Sequence, residues 1–295
     1  MKKTYAIILS AVLLFVLAAC GNTKEEGSDK KDKQASEQND QTWKKIKDSG
    51  ELVVGTSGTL LASSYYEGDK KSEDKLTGYD VEVVREVAKR LGLKPKFEIM
   101  GIDGMLPAIK SGRINVAAND IEVTDKRKES FGFSEPYKYS WTTMVVRKKD
   151  NSGIEKLEDL KGKKAGGGAT TIYSQIAEHY GAKVVTYGNA GNEAYLRDVD
   201  NGRTDTVIND YYLCKFGVAA FPDFDIQLHP TLKFNPTKTA VIMAKDAPEL
   251  QKQVNSAIAD MRKDGTLTKL AEKFYKEDAS QKPKEKIEEI KGMDL

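Results

Sequence analysis

Asp120 and Glu122 stand two residues apart in the string Ala118-Asn119-Asp120-Ile121-Glu122-Val123. If residues 119–123 are extended, successive side chains alternate between faces and the two carboxylates point the same way. Such a pair suits general acid and base work on a bound substrate. It equally suits a negative wall that a positive group must answer, because buried unpaired carboxylates are costly. Arg127 closes the string Thr124-Asp125-Lys126-Arg127. A guanidinium fork meets a carboxylate in two parallel hydrogen bonds, which lysine does not copy; an arginine capping a surface turn is the plain alternative. Asp210 follows an apolar segment and precedes a helical one, the position of a helix N-cap. Thr170, Thr171 and Ile172 open a further helix, whose free backbone N–H groups favour an anion. His179 and His229 lack metal-ligand spacing. Cys214, among apolar neighbours, reads as a buried and inert thiol. No metal, cofactor or P-loop is expected.

The elements that must position these residues alternate in type. From Trp43 onward, a strand at 52–55 precedes a helix in which Val84, Val87, Ala88 and Leu91 share one face. Asp80 is its expected cap and Gly92 its stop. A strand at 96–99, a short helix at 106–110 and a strand at 114–118 follow. A second series comprises a helical turn at 157–160 and strands at 164–168, 184–186 and 206–209, with helices at 172–180, 192–201 and 211–216. After a strand at 239–244, Asp246 and Glu249 suggest a capping box for a helix with Leu250, Val254, Ala257, Ile258 and Met261 on one face. A last helix is expected at 267–276. This alternation indicates α/β units on largely parallel sheets.

The first twenty residues say where the chain works. Lys2 and Lys3 precede an apolar run that ends in Leu17-Ala18-Ala19-Cys20. Charges, a short apolar core and small residues before a cut describe a secretory signal over residues 1–19. The run is shorter than the ~20 residues of a spanning helix. Small residues leading into a cysteine resemble a bacterial lipobox, with lipid on Cys20. Cleavage there leaves 45 basic against 45 acidic residues, a balance that argues against nucleic acid as a partner. Cys214 is then alone, so no internal disulfide forms. Residues 20–41 are polar and charged, which describes a disordered tether between anchor and body.

Several strings taken in order resemble the polar-amino-acid-binding extracellular solute-binding proteins (family 3) of ABC importers. They are Gly55-Thr56-Ser57-Gly58-Thr59, Leu76-Thr77-Gly78-Tyr79-Asp80-Val81, Thr124-Asp125-Lys126-Arg127, Phe133-Ser134-Glu135-Pro136-Tyr137, Gly202-Arg203-Thr204-Asp205 with Asn209-Asp210, and Lys263-Asp264-Gly265-Thr266-Leu267. The resemblance covers roughly residues 43–276 and is nearest to cystine-binding lipoproteins. It implies a periplasmic-binding-protein-like fold of type II: two α/β lobes, a hinge and a ligand cleft between them. Lobe one is expected at 43–140 plus 239–276 and lobe two at 141–238, with crossings near 140–143 and 236–239 and a loose charged tail at 277–295.

The same resemblance implies that Arg127 receives the ligand carboxylate and Asp210 its ammonium, with Thr170 and Thr171 supplying donors at the start of a helix. Relatives have Ser-Thr where Thr171-Ile172 stands here. Leu60 and Ile102 occupy positions where relatives clamp the ligand between two rings, so the pocket is an apolar slot, or Tyr65, Tyr173 or Trp141 supplies a ring. Asp120 and Glu122 replace small or hydroxyl residues, which points to a ligand with more than one ammonium group, a basic amino acid or cystine. The implied partners are that amino acid, an ABC permease and an ATPase, and the membrane through Cys20; a monomer on the extracytoplasmic face is expected. A dehydratase-like enzyme or a sensor on the same fold is the alternative.

Overall fold

Two sheets carry the chain in the computed structural model, which describes residues 41–68 and 70–293. The expected signal, Cys20 and nearly all of the tether lie outside the described residues. The first sheet runs Lys94–Ile99, Glu51–Thr56, Val116–Ala117, Ile242–Ala244, Phe131–Phe133. Its first three strands are parallel, and Ile242–Ala244 is antiparallel to both neighbours. The second sheet runs Lys183–Thr186, Lys164–Gly167, Thr206–Asp210, Lys138–Arg147, Ile226–Leu228. Phe234–Thr239 also pairs with Lys138–Arg147, antiparallel and with a register shift between Phe234 and Pro236. These two paired strands carry the chain between the lobes.

Each sheet has an apolar core on both faces. In the first lobe, Tyr79–Arg90 and Pro248–Lys263 turn Val83, Val84 and Val87, and Leu250, Val254 and Ile258, onto one face. Ile102–Lys110 packs Met105 and Ile109 on the other. In the second lobe, Ile172–His179 covers one face through Ile176 and Ala177. Asn192–Asp200 and Tyr211–Ala220 cover the opposite face through Leu196, Val199 and Cys214.

The helix starts differ from expectation for identifiable reasons. Gly78, at φ 122°, caps the first long helix. A Cβ there would lie 2.4 Å from the Ser63 carbonyl oxygen, so only glycine fits. Asp80 lies inside the first turn, fully buried, and accepts the Asp120 N–H. The capping box at Asp246 and Glu249 does not form. Ala247 is the N-cap, Pro248 occupies the first turn, and Glu249 accepts from Gln253 Nε2 at 2.7 Å. The Ile102–Lys110 helix begins ahead of the expected 106 and carries Pro107 inside it. A small sheet of Thr59–Leu60, Ser64–Tyr66 and Leu76–Thr77 carries no sequence signal, since strands this short show no alternation.

The C-terminal segment, expected to be loose, lies along the hinge. Ala279 and Ser280 are buried. The Tyr139 N–H donates to Ala279 O at 2.8 Å, and the Asn235 N–H donates to Glu288 O at 2.7 Å. Ile290 and Met293 then pack on the second lobe's core. Charge along this segment hid two apolar contacts that are too few for a periodic signal. Replacing both Ile290 and Met293 by alanine is expected to cost about 2 kcal/mol in total, because both are only half-buried. Calorimetry would read this as a fall in Tm of roughly 4–8 °C; an unchanged Tm would show that the segment adds no stability.

Candidate functional site

A cavity of about 110 Å³ lies between the lobes. From the first lobe, Leu60, Ile102, Asp120, Glu122 and Arg127 line it; from the second, Thr171, Tyr173, Tyr195 and Asn209 do so. Gly168 lies where the lobes approach: a Cβ there would meet Thr171 Cγ2 of its own lobe tightly, at 3.1 Å, and Ile102 Cγ2 across the cleft at an ordinary 3.4 Å.

Arg127 sits in the short helix Asp125–Ser130, whose cap Thr124 accepts the Arg127 N–H at 3.1 Å. Its guanidinium is largely buried and donates through Nη1 to Glu122 O at 2.8 Å and to Glu122 Oε2 at 3.0 Å. Through Nη2 it reaches across the cleft to Thr170 O at 3.2 Å. Burial pushes the Glu122 carboxyl above the ordinary range, while Arg127 pulls it back. The Tyr173 hydroxyl faces Glu122, has no hydrogen-bond partner of its own, and is held well above the usual tyrosine range by burial.

Asp120 and Glu122 do not share the extended geometry expected of residues 119–123. Asp120 adopts φ 51°, a left-handed conformation uncommon outside glycine. The turn separates the carboxylates: Glu122 goes to Arg127, and Asp120 accepts from Lys138 Nζ and from Thr239 Oγ1 at 3.0 Å. Both still reach the cavity wall.

Lys138 was missed in the sequence. It opens the first crossing strand and is fully buried, with its ammonium between Asp120 and Asp210 Oδ1, the latter at 3.2 Å. The rings of Tyr275 and Tyr212 lie 5.4 and 5.7 Å from Nζ, where their faces attract the cation. Burial alone would lower the Lys138 pKa; Asp120 and Asp210 outweigh it and hold the group well above the ordinary lysine range. A lysine in the string Tyr137-Lys138-Tyr139 carries no periodic or motif signal. Only the surplus of acids hinted that a cation must answer them.

Asp210 caps the Tyr211–Ala220 helix, accepting from Tyr212 N at 2.8 Å and Leu213 N at 3.3 Å. It lies behind Asn209, just outside the cavity wall, with Oδ2 buried and unpartnered. Asp80 Oδ1 and Asp120 Oδ2 are buried and unpartnered as well. Thr170 is also off the wall, with its carbonyl on Arg127 and its donors on Asp103. Thr171 lines the wall and caps its helix through the Ser174 N–H. The rings near the cavity are Tyr173 and Tyr195, both from the second lobe. Trp141 instead stacks on Tyr211 at 4.2 Å, and Tyr65 packs on the first lobe's core.

The other candidates for chemistry lie elsewhere. His229 Nε2 donates to Ile154 O at 2.8 Å and its Nδ1 accepts from the Thr231 and Leu232 N–H groups, a structural role. His179, at the end of its helix, packs edge-on against Tyr180. Cys214 reaches the cavity wall, but burial pushes its thiol well above the ordinary range, where little thiolate forms. Among the described residues no cluster of three or more His, Cys, Asp or Glu could hold a metal ion.

Asp120 and Asp210 thus share one ammonium, with Asp80 beside them on the Asp120 N–H. Burial raises Asp80 to about 7 and Asp210 to about 6, from an ordinary value of 3.8. The folded chain then binds more protons than the unfolded chain between about pH 4 and 7, so these groups make stability fall as pH rises through that window. Thermal unfolding at about pH 5.5 and about pH 7.5 is expected to show a smaller difference in Asp80→Asn than in the unchanged protein. An equal difference would mean that Asp80 does not titrate in this range.

Comparison with known proteins follows the same lines. Residues 52–277 match the bacterial extracellular solute-binding proteins, family 3. The chain is 52% identical over 97% of its length, and 96% of the relative's, to the probable ABC transporter extracellular-binding protein YckB of Bacillus subtilis. The solved YckB structure superposes with a TM-score of 0.67, covering 84% of this chain and 99% of that one at 56% identity. The L-cystine-binding protein TcyA of B. subtilis is 38% identical over 95% of this chain and 100% of its own length. An ancestral arginine-binding protein bound to arginine has a TM-score of 0.68 at 32% identity, covering 77% of this chain and 98% of that one. On its sequence, its two-lobed fold and these relatives, the chain belongs to the family 3 bacterial extracellular solute-binding proteins.

Proposed function

We propose that this chain captures an amino acid bearing more than one ammonium group, cystine or a basic amino acid, and delivers it to a membrane permease powered by a separate ATPase. The observation that carries this reading is the charge at the cavity. Arg127 and Glu122 form one balanced pair, whereas among the described residues Lys138 is the cation paired with Asp120 and Asp210, and Asp80 adds a third carboxylate on the Asp120 N–H. The surplus is negative, and the free Oδ2 atoms of Asp120 and Asp210 accept donors only. An ammonium supplies both the charge and the donors.

In this reading the ligand carboxylate meets Arg127 and the N-terminal donors around Thr171, while an ammonium meets Asp120 with Asp210 behind it. Leu60 and Ile102 cover the side chain from the first lobe, and Tyr173 and Tyr195 face it from the second. Contact with both lobes is what lets a ligand favour the closed form. Binding rather than catalysis is supported by the pairing of Asp120 and Glu122 with separate cations, which leaves neither as a free acid–base couple. The relatives named for cystine and for arginine support the two ligand classes. Lipid on Cys20 would hold the protein, as a monomer, at the extracytoplasmic face of the membrane; a lipid-bearing N-terminal peptide beginning at Cys20 in mass spectrometry is the expected sign.

Calorimetric titration with L-cystine, L-arginine, L-lysine and L-leucine tests the reading. Binding is expected for one of the first three and weak or absent for L-leucine. Arg127→Ala removes one partner of a buried charge pair, a cost of ~2–5 kcal/mol, or roughly thirty-fold to several thousand-fold in affinity. Asp120→Asn is expected to narrow the preference for ammonium-rich ligands. Equal affinity for all four amino acids would sink the account of the acidic residues.

A further inference from the structure

Thr170 is held by the first lobe at both ends of its backbone. Its N–H and its hydroxyl both donate to Asp103 Oδ1, at 3.1 and 2.6 Å. Its carbonyl accepts from Arg127 Nη2 at 3.2 Å. Asp103 stands in the first turn of Ile102–Lys110, exposed at the rim of the cleft and outside the cavity wall. The same rim brings Gly101 against Asn189, and Asp103 lies near enough to Tyr195 to raise its pKa alongside burial. The N-terminal end of this helix is therefore where the first lobe touches the second.

We propose that Asp103 is a closure residue: by holding Thr170 across the cleft it seats the Thr170 carbonyl on Arg127 and so slows ligand release without touching the ligand. The geometry supplies the coupling. Arg127 faces the cavity with part of its fork and the opposite lobe with the rest. A ligand that orients the guanidinium also orients the donor that Thr170 needs, and Asp103 keeps Thr170 in register to accept it. Opening the lobes breaks all three contacts together. Asp103 therefore acts on the closed form alone, and its loss registers in dissociation, not in encounter. That the ligand carboxylate meets Arg127 is taken from the function proposed above; the clasp itself stands on the contacts between lobes.

Stopped-flow measurement of association and dissociation, with L-cystine and with L-arginine as probes, tests this on Asp103→Ala and Asp103→Asn. Two hydrogen bonds at an exposed rim have modest net worth, so Asp103→Ala is expected to release the probe about ten-fold faster with association little changed. Asp103→Asn keeps the Oδ1 acceptor and is expected to stay within about two-fold of the unchanged protein. Small-angle scattering without added amino acid should show a larger radius for Asp103→Ala than for Asp103→Asn. Unchanged dissociation in Asp103→Ala, or slower association with unchanged dissociation, would overturn the proposal. If neither probe binds the unchanged protein, the ligand reading fails and scattering alone decides: a larger radius for Asp103→Ala upholds the clasp, and equal radii refute it.

Discussion

A buried ammonium needs partners, and Lys138 sets the terms for everything around the hinge. Moving an unpaired charge out of water costs several kcal/mol even after relaxation, so a fully buried lysine at the start of a crossing strand requires carboxylates from more than one direction. Asp120 comes from the first lobe and holds a left-handed backbone to reach it. Asp210 comes from the end of a second-lobe strand and caps the next helix with the same oxygen that meets Lys138. Asp80 joins through the Asp120 N–H. The strained turn at Asp120, the helix at Tyr211 and the first turn at Tyr79 are thus tied to one side chain. Removing Lys138 would leave three buried acids facing one another, a larger loss than the pair itself is worth.

The same cluster shows what was legible in the sequence. The alternation of strand and helix needed only apolar periodicity, and Val84, Val87, Leu250 and Ile258 carried it into the structure at the expected faces. Arg127, Glu122, Asp120 and Thr171 stand out in local strings, Leu60 and Ile102 through the family resemblance, and all six line one cavity. What failed was geometry that depends on distant contacts. Asp80 looked like a cap because an acid before an apolar run usually is one, but Gly78 alone tolerates the approach of Ser63. The spacing of Asp120 and Glu122 promised one face, but the pull of Lys138 and Thr239 on Asp120 turned the backbone between them. Lys138 itself is one of many lysines, and nothing local distinguishes the buried one from those in water.

Tyr195 illustrates a different limit. The resemblance places Leu60 and Ile102 where two rings would stand, and leaves Tyr65, Tyr173 or Trp141 to supply a ring from elsewhere. Of these only Tyr173, in the first turn of one second-lobe helix, lines the cavity, and Tyr195, within another, joins it without having been signalled. A pocket between two lobes places no sequence constraint on which lobe supplies a given surface. Alignment finds such a residue only when the supplier has not changed.

On the function proposed above, selectivity does not reside in Arg127. Its guanidinium is already matched by Glu122 and extended to Thr170, so every amino acid presents it with the same carboxylate and meets the same response. On that reading Tyr173, Leu60 and Ile102, which line the cavity, would discriminate by shape, where one methylene in an apolar slot changes binding by only about 1–3 kcal/mol. The larger lever is the unbalanced acid cluster. Its free oxygens are buried beside the cavity, and low dielectric amplifies the difference between a ligand that brings an ammonium to them and one that does not. Lys138 would then set the size of that lever: it pairs with Asp120 and Asp210 and neutralises part of the cluster, and on the proposed function the remainder is what a ligand's ammonium completes.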